Sequence, residues 1–150
     1  MFAYEKLRAW QLCHQLLLAV YEATKRFPKH ELYGLTSQAR RAAFSPAVNI
    51  VEGAAKRGPR EFRRFLDFSL GSLAELAYTL RVARDLKLLD DSEWTVLERL
   101  RRQAGMMTWK LYAAVASAAK RAEPSSYLPS FCRPSLYLPS PYPASFQSIG

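Results

Sequence analysis

Four short stretches decide the fold. The first is Glu31-Leu32-Tyr33-Gly34-Leu35-Thr36-Ser37-Gln38-Ala39-Arg40-Arg41-Ala42-Ala43. Asn49-Ile50-Val51-Glu52-Gly53 follows, then Glu61-Phe62-Arg63-Arg64-Phe65-Leu66 and Gly71-Ser72-Leu73-Ala74-Glu75-Leu76. Residues 31–80 carry two helical patterns that meet at Gly58-Pro59, with seven basic residues, five of them at that corner. No catalytic constellation interrupts them. The pattern reads as a helical bundle with a basic surface rather than an enzyme.

The second of these patterns is the clearest. From Pro59, a favoured first-turn residue, Phe62, Leu66, Ser69, Leu73, Leu76, Leu80 and Ala83 alternate spacings of four and three. Left-handed bundles use such a seam. A matching seam, Leu97, Leu100, Ala104, Met107, Leu111, Ala114 and Ala118, follows the acids of Asp90-Asp91-Ser92-Glu93. Carboxylates suit a helix N-terminus. This helix should end near Arg121, and the short link from Lys87 to Asp91 makes the two helices antiparallel. Met106-Met107 with Trp109 reads as filling of the seam.

Upstream, a helix from about Tyr4 to Arg26 carries one stripe at Leu7, Trp10, Cys13, Leu17 and Val20, and a second at Leu12, Leu16 and Ala19. A surface helix needs one apolar face, so this one is expected to be covered on two sides. Pro28 stops it. The next helix should start at Thr36 or Ser37, either of which can cap it, and end near Arg57. Pro46 falls inside and removes a backbone donor. Asn49 and Gly53 are expected to serve that distortion, satisfying freed carbonyls or admitting a neighbouring helix.

These elements make an all-α, antiparallel up-down four-helix bundle over residues 1–122. From residue 123 the composition changes to six prolines, seven serines and a repeated Tyr-Leu-Pro-Ser at 127 and 137. Such a tail, 123–150, is expected to be extended or disordered.

The chain of 150 residues is single-domain in size, with a net charge of +9 carried by the bundle and not the tail. That balance suits a polyanionic partner. Cys13 and Cys132 form no disulfide or metal pattern, and no apolar run is long enough for a membrane span. A cytoplasmic protein without cofactors is expected. His14 and His30 lack ligand partners at metal-site spacing, and no Gly-x-Ser-x-Gly elbow or glycine-rich phosphate loop occurs.

The candidate contact residues are Lys56, Arg57, Arg60, Arg63 and Arg64 at the corner, with Arg40 and Arg41 upstream. Guanidinium forks match phosphate oxygens, so these residues are candidates for binding RNA or DNA through the backbone. Glu52, Glu61 and Asp67 are the nearby carboxylates that would neutralise the corner instead. Arg81, Arg84, Arg99, Arg101 and Arg102 are read as exposed charge. No zinc finger or aromatic RNA-binding strand accompanies them.

Over about residues 4–121 the chain resembles the four helix bundle proteins encoded within intervening sequences of bacterial 23S ribosomal RNA genes. Tyr4-Glu5-Lys6-Leu7 with Trp10, the four stretches quoted above and their order carry the resemblance. It implies an up-down bundle that assembles as a homopentamer around a channel. It also resembles, in fold, the accessory variability proteins of diversity-generating retroelements, which partner a reverse transcriptase and bind nucleic acid. A homo-oligomer would explain the second stripe on the first helix, which a lone bundle would leave bare. The family reads Ser-x-Pro-x-Asn-Ile-Ala-Glu-Gly where this chain has Ser45-Pro46-Ala47-Val48-Asn49-Ile50-Val51-Glu52-Gly53, with its proline one step earlier.

Together these readings predict a non-enzymatic, oligomeric bundle that binds RNA or DNA through arginine-rich surfaces. The alternative is a protein-interaction scaffold or an accessory subunit of a nucleic-acid enzyme such as a reverse transcriptase.

Overall fold

The computed structural model describes residues 3–121, so the expectations for the tail lie outside the described residues. Four helices form the fold: α1 (Arg8–Ala23), α2 (Leu35–Ala54), α3 (Pro59–Asp85) and α4 (Asp91–Arg121). Each packs against its chain neighbours, and α1 closes the ring against α4. Among the described residues there is no strand.

The α3 seam is buried as its spacing requires. Leu66, Leu73, Leu76, Leu80 and Ala83 are each at most 2% exposed, with Ser69 fully covered between them. Full burial of each leucine contributes about 1.5–3 kcal/mol. The polar member of the seam is satisfied, since Ser69 Oγ donates to the Pro46 carbonyl at 3.0 Å and so ties α3 to α2.

The α4 seam drifts from its expected line. Leu97 and Ala104 are buried, but the buried set continues through Thr108 and Ala119, while Ala114 is exposed. Steps of four from Ala104 to Thr108 turn the stripe around the helix, because 3.6 residues make one turn. Thr108 enters the core because its hydroxyl donates to the Ala104 carbonyl at 2.8 Å, within its own helix. Met107 packs at the core edge, but Met106 and Trp109 are more than half exposed and do not fill the seam.

Helix α1 is shorter than its periodicity suggests. Leu7 adopts an extended conformation between a 3-10 turn at Ala3–Lys6 and the helix proper, and a second 3-10 turn occupies Thr24–Arg26. Both of its stripes are covered within one chain: Cys13, Leu16 and Val20 are fully buried, and Leu12 is 5% exposed. Packing between α2 and α4 accounts for the double stripe. It therefore gives no reason for a second copy, contrary to the expectation drawn from the sequence.

Neither Thr36 nor Ser37 starts α2. The helix begins at Leu35 because Glu31 reaches forward and accepts the Leu35 N–H at 2.9 Å. Thr36 is instead buried. The far end falls at Ala54, before the Arg57 expected. Helix α2 runs without a break through Pro46, and beside it Asn49 Nδ2 donates to the Ser45 carbonyl and hydroxyl at 2.9 and 3.0 Å. Gly53 allows close approach, as expected. A Cβ there would lie 2.7 Å from the Phe62 ring and 2.8 Å from Phe65 Cβ.

Helix α4 is capped from both sides. Asp90 Oδ1 accepts the Glu93 N–H at 2.8 Å, and Glu93 Oε2 accepts the Asp90 N–H at 3.1 Å. This is a reciprocal capping box. Further along, Glu98 accepts from Arg101 and Arg102 at 2.7–2.8 Å. The hydrogen bond from Arg101, then that from Arg102, holds the Glu98 carboxyl below the usual carboxylate range against the effect of burial. A lowered folded-state pKa contributes stability at neutral pH that is lost as pH falls through that pKa. Glu98→Gln is expected to cost about 0.5–1 kcal/mol at neutral pH. Thermal melts in acid should show the gap closing.

Candidate nucleic-acid interface

A short turn over residues 55–58 joins α2 to α3 and forms the corner. Gly58 has φ +90° there, a conformation side chains disfavour, and nothing crowds it. Pro59 then begins α3 at once. The tight turn brings Lys56 and Arg57, past the end of α2, beside Arg60, Arg63 and Arg64 on the first two turns of α3. Lys56, Arg57, Arg60 and Arg64 are exposed and Arg63 is half-buried.

Acids cover this cluster thinly. Glu61 lies 3.7 Å from Arg64 across one exposed turn, a separation that stabilises weakly in water. Lys56, Arg57 and Arg63 form no ion pair among the described residues.

Aromatic rings hold two of the five cations. Lys56 Nζ sits 5.5 Å from the centre of the Phe65 ring, and the Arg64 guanidinium 5.7 Å from that of Phe68. The two rings meet edge to face at 6.1 Å. Phe68 remains 48% exposed. A shallow cleft of about 380 Å³ opens beside the corner, lined by Leu7, Gly53, Gly58, Pro59, Phe62 and Val115.

Arg40 and Arg41 lie elsewhere. Arg41 lies thirteen residues before Ala54, the last residue of α2, roughly 20 Å along the helix. Arg40 also has a structural role. Its Nε donates to Thr24 Oγ1 at 2.9 Å, and its guanidinium lies 4.8 Å above the Tyr21 ring. It clasps the end of α1 to α2. Arg41 is exposed at the rim of a groove of about 400 Å³ shared with Tyr21, Leu32, Tyr33 and Phe44. Tyr33 is 92% exposed and Phe44 51%. Sequence reading overlooked this apolar patch, because Tyr33 and Phe44 share no helical period.

The remaining arginines are largely paired. Arg81 meets Asp85, and Arg84 meets Asp91 while covering the Trp94 ring at 4.3 Å. Arg101 and Arg102 share Glu98. Arg99 is exposed. The corner differs in holding five cations within nine residues of chain.

His14 stacks on Trp10 at 5.1 Å, with a 9° interplanar angle, on the exposed side of α1. Cys13 is buried, and desolvation pushes its thiol up to about 11, against the weaker effect of Thr108. Among the described residues no group of three or more His, Cys, Asp or Glu side chains is placed to hold a metal ion. No helix among them is long and apolar enough to cross a membrane.

A comparison with curated proteins found no match. The family model of the 23S rRNA-intervening sequence protein matches residues 5–110. That span runs from the turn before α1 across most of α4, and takes in the Gly58-Pro59 corner and the glycine at which α2 and α3 touch. The chain belongs to the 23S rRNA-intervening sequence protein family.

Proposed function

We propose that this chain is a non-enzymatic, self-associating helical bundle of the cytoplasm that binds RNA or DNA through the corner of Lys56, Arg57, Arg60, Arg63 and Arg64. The observation that supports this is the concentration of cations there, with Lys56, Arg57 and Arg63 outside any ion pair among the described residues, while most arginines of α3 and α4 beyond the corner are matched by acids. Such cations attract phosphate and release its counterions on contact. The test is binding of structured RNA and of DNA across a salt series. The logarithm of affinity should fall linearly with the logarithm of salt, by about 0.7–0.9 for each phosphate engaged. Affinity that ignores salt would refute the reading.

The groove at the other end of α2 favours a second role, contact with another protein. Tyr21, Leu32, Tyr33 and Phe44 expose apolar surface together, and Leu18 lies one turn before Tyr21 on α1. Exposed apolar patches with polar rims mark interaction sites. We assign this patch to contact between copies in a homo-oligomer, a pentamer by family resemblance, with an accessory role beside a nucleic-acid enzyme as the alternative. Light scattering should give a multiple of the 17.1 kDa chain mass. Tyr33→Asp combined with Phe44→Asp should bring that mass down to the monomer. An unaltered chain that is already monomeric at micromolar concentration would remove self-association from the proposal.

A further inference from the structure

We infer that the corner prefers unpaired, single-stranded nucleic acid to duplex. The inference rests on the nucleic-acid reading above and assigns its ligand class. The carrying observation is the interleaving of charge and ring: Lys56 over Phe65, Phe65 against Phe68, and Arg64 over Phe68. Phosphate contact alone requires only the cations. It gives no reason for a half-exposed phenylalanine beside the basic corner.

A single strand uses both parts. Its phosphates meet Arg57, Arg60 and Arg63, and a splayed base finds a flat surface. Bases stack on aromatic side chains and also on guanidinium planes, so Arg64 lying on Phe68 provides a layered platform. Phe68 can serve it because the residue is 48% exposed beside its Arg64 contact. In a duplex every base face is already stacked on its neighbours, and only phosphates and base edges reach the protein. A duplex therefore leaves Phe68 unused.

The neighbouring geometry agrees. Phe62 packs against Gly53, and a Cβ at Gly53 would strike that ring at 2.7 Å. Phe62 thus fixes the turn between the helices, while Phe65 is half-buried at the boundary and Phe68 reaches outward. Three phenylalanines at successive turns divide into an anchor, a bridge and a platform.

The experiment compares an unstructured pyrimidine-rich RNA of about 20 nucleotides with a duplex of equal length, for the full chain and for Phe68→Ala and Phe68→Trp. Fluorescence anisotropy reads affinity, circular dichroism checks folding, and light scattering on the same samples reads mass. The unaltered chain should bind the single strand more tightly. Phe68→Ala should lose roughly tenfold on the single strand and little on the duplex. Phe68→Trp, which keeps a larger ring, should preserve or raise single-strand affinity. Equal or tighter duplex binding would overturn the inference and leave the nucleic-acid reading standing. Absence of binding to either ligand would overturn both. A change in mass from Phe68→Ala with single-strand affinity unchanged would assign the ring to contact between copies and overturn the inference.

Discussion

Replacing Arg60, Arg63 and Arg64 together with alanine is expected to weaken RNA binding by about two orders of magnitude at low salt. Two phosphate contacts on a single strand, at Arg60 and Arg63, account for a slope of about 1.4 in the dependence of log affinity on log salt, and Arg64 adds the loss of stacking. Losing them should flatten the measured slope by that amount. The three side chains stand on the outer surface of α3, exposed or half-buried, and the helix keeps its Pro59 start and its buried leucines. The fold should survive, apart from the Arg64 cover on Phe68. The control removes the same formal charge elsewhere. Arg81, Arg84 and Arg102 are held by Asp85, Asp91 and Glu98, so changing those three to alanine should alter affinity only a few-fold. Equal losses from the two triple variants would mean that overall charge, not the corner, attracts the ligand.

Gly53→Ala is expected to destabilise the bundle by about 1–3 kcal/mol, with a larger loss for Gly53→Val. Two effects oppose each other. Alanine is favoured over glycine within a helix by about 1 kcal/mol. Against this, the new Cβ would sit 2.7 Å from the Phe62 ring and 2.8 Å from Phe65 Cβ. A ring edge can rotate away. A Cβ attached to the α3 backbone cannot, so relief requires the helices to separate near the corner. Packed interiors resist such shifts, and the clash should win. Thermal unfolding measures the loss. An unchanged or raised melting temperature would show that α2 simply frays at this end, since Ala54 is its last residue. Set against Phe62→Ala alone, Gly53→Ala should cost less than in the unaltered chain only by the share the ring contributes.

Helix α3 was fully legible from its sequence, and the reason is physical. Alternating steps of four and three keep Leu66 through Ala83 on one side of the helix, and Pro59 and Gly58 mark its start. The family pattern at Gly53 was legible for a similar reason, because a glycine at the point of helix contact leaves a signature that other residues cannot replace. Helix ends were less so. The start of α2 depends on Glu31, four residues upstream of the N–H it satisfies, while Thr36 and Ser37 offered themselves as nearer caps. The double stripe of α1 was read correctly as two covered faces and attributed in part to the wrong cover. A ring of four helices gives each one two neighbours, so a second stripe requires no second molecule.

The candidate site was legible in part. Clustering in sequence brought five cations into one turn. Arg40 and Arg41, named as contact residues upstream of the corner, stand apart from it by most of the length of α2, a separation the helical rise already implies. The roles of Phe65 and Phe68 were hidden: Phe65 stands beside the buried Leu66 and reads as core. Only their packing against Lys56 and Arg64 distinguishes them from ordinary filling.

Helix α2 has one more consequence. Its twenty residues make a rod of roughly 30 Å, with the apolar groove at one end and the basic corner at the other. Copies joined through their grooves would hold their corners outward and apart, free to engage one strand at several points. A strand caught by one corner meets the next at an effective concentration near the millimolar range, and linked sites of this kind gain 10²–10⁴ in avidity, as order-of-magnitude estimates, without any new contact. Weak contact at a single corner would then suffice for tight capture of a long strand, while short fragments would escape.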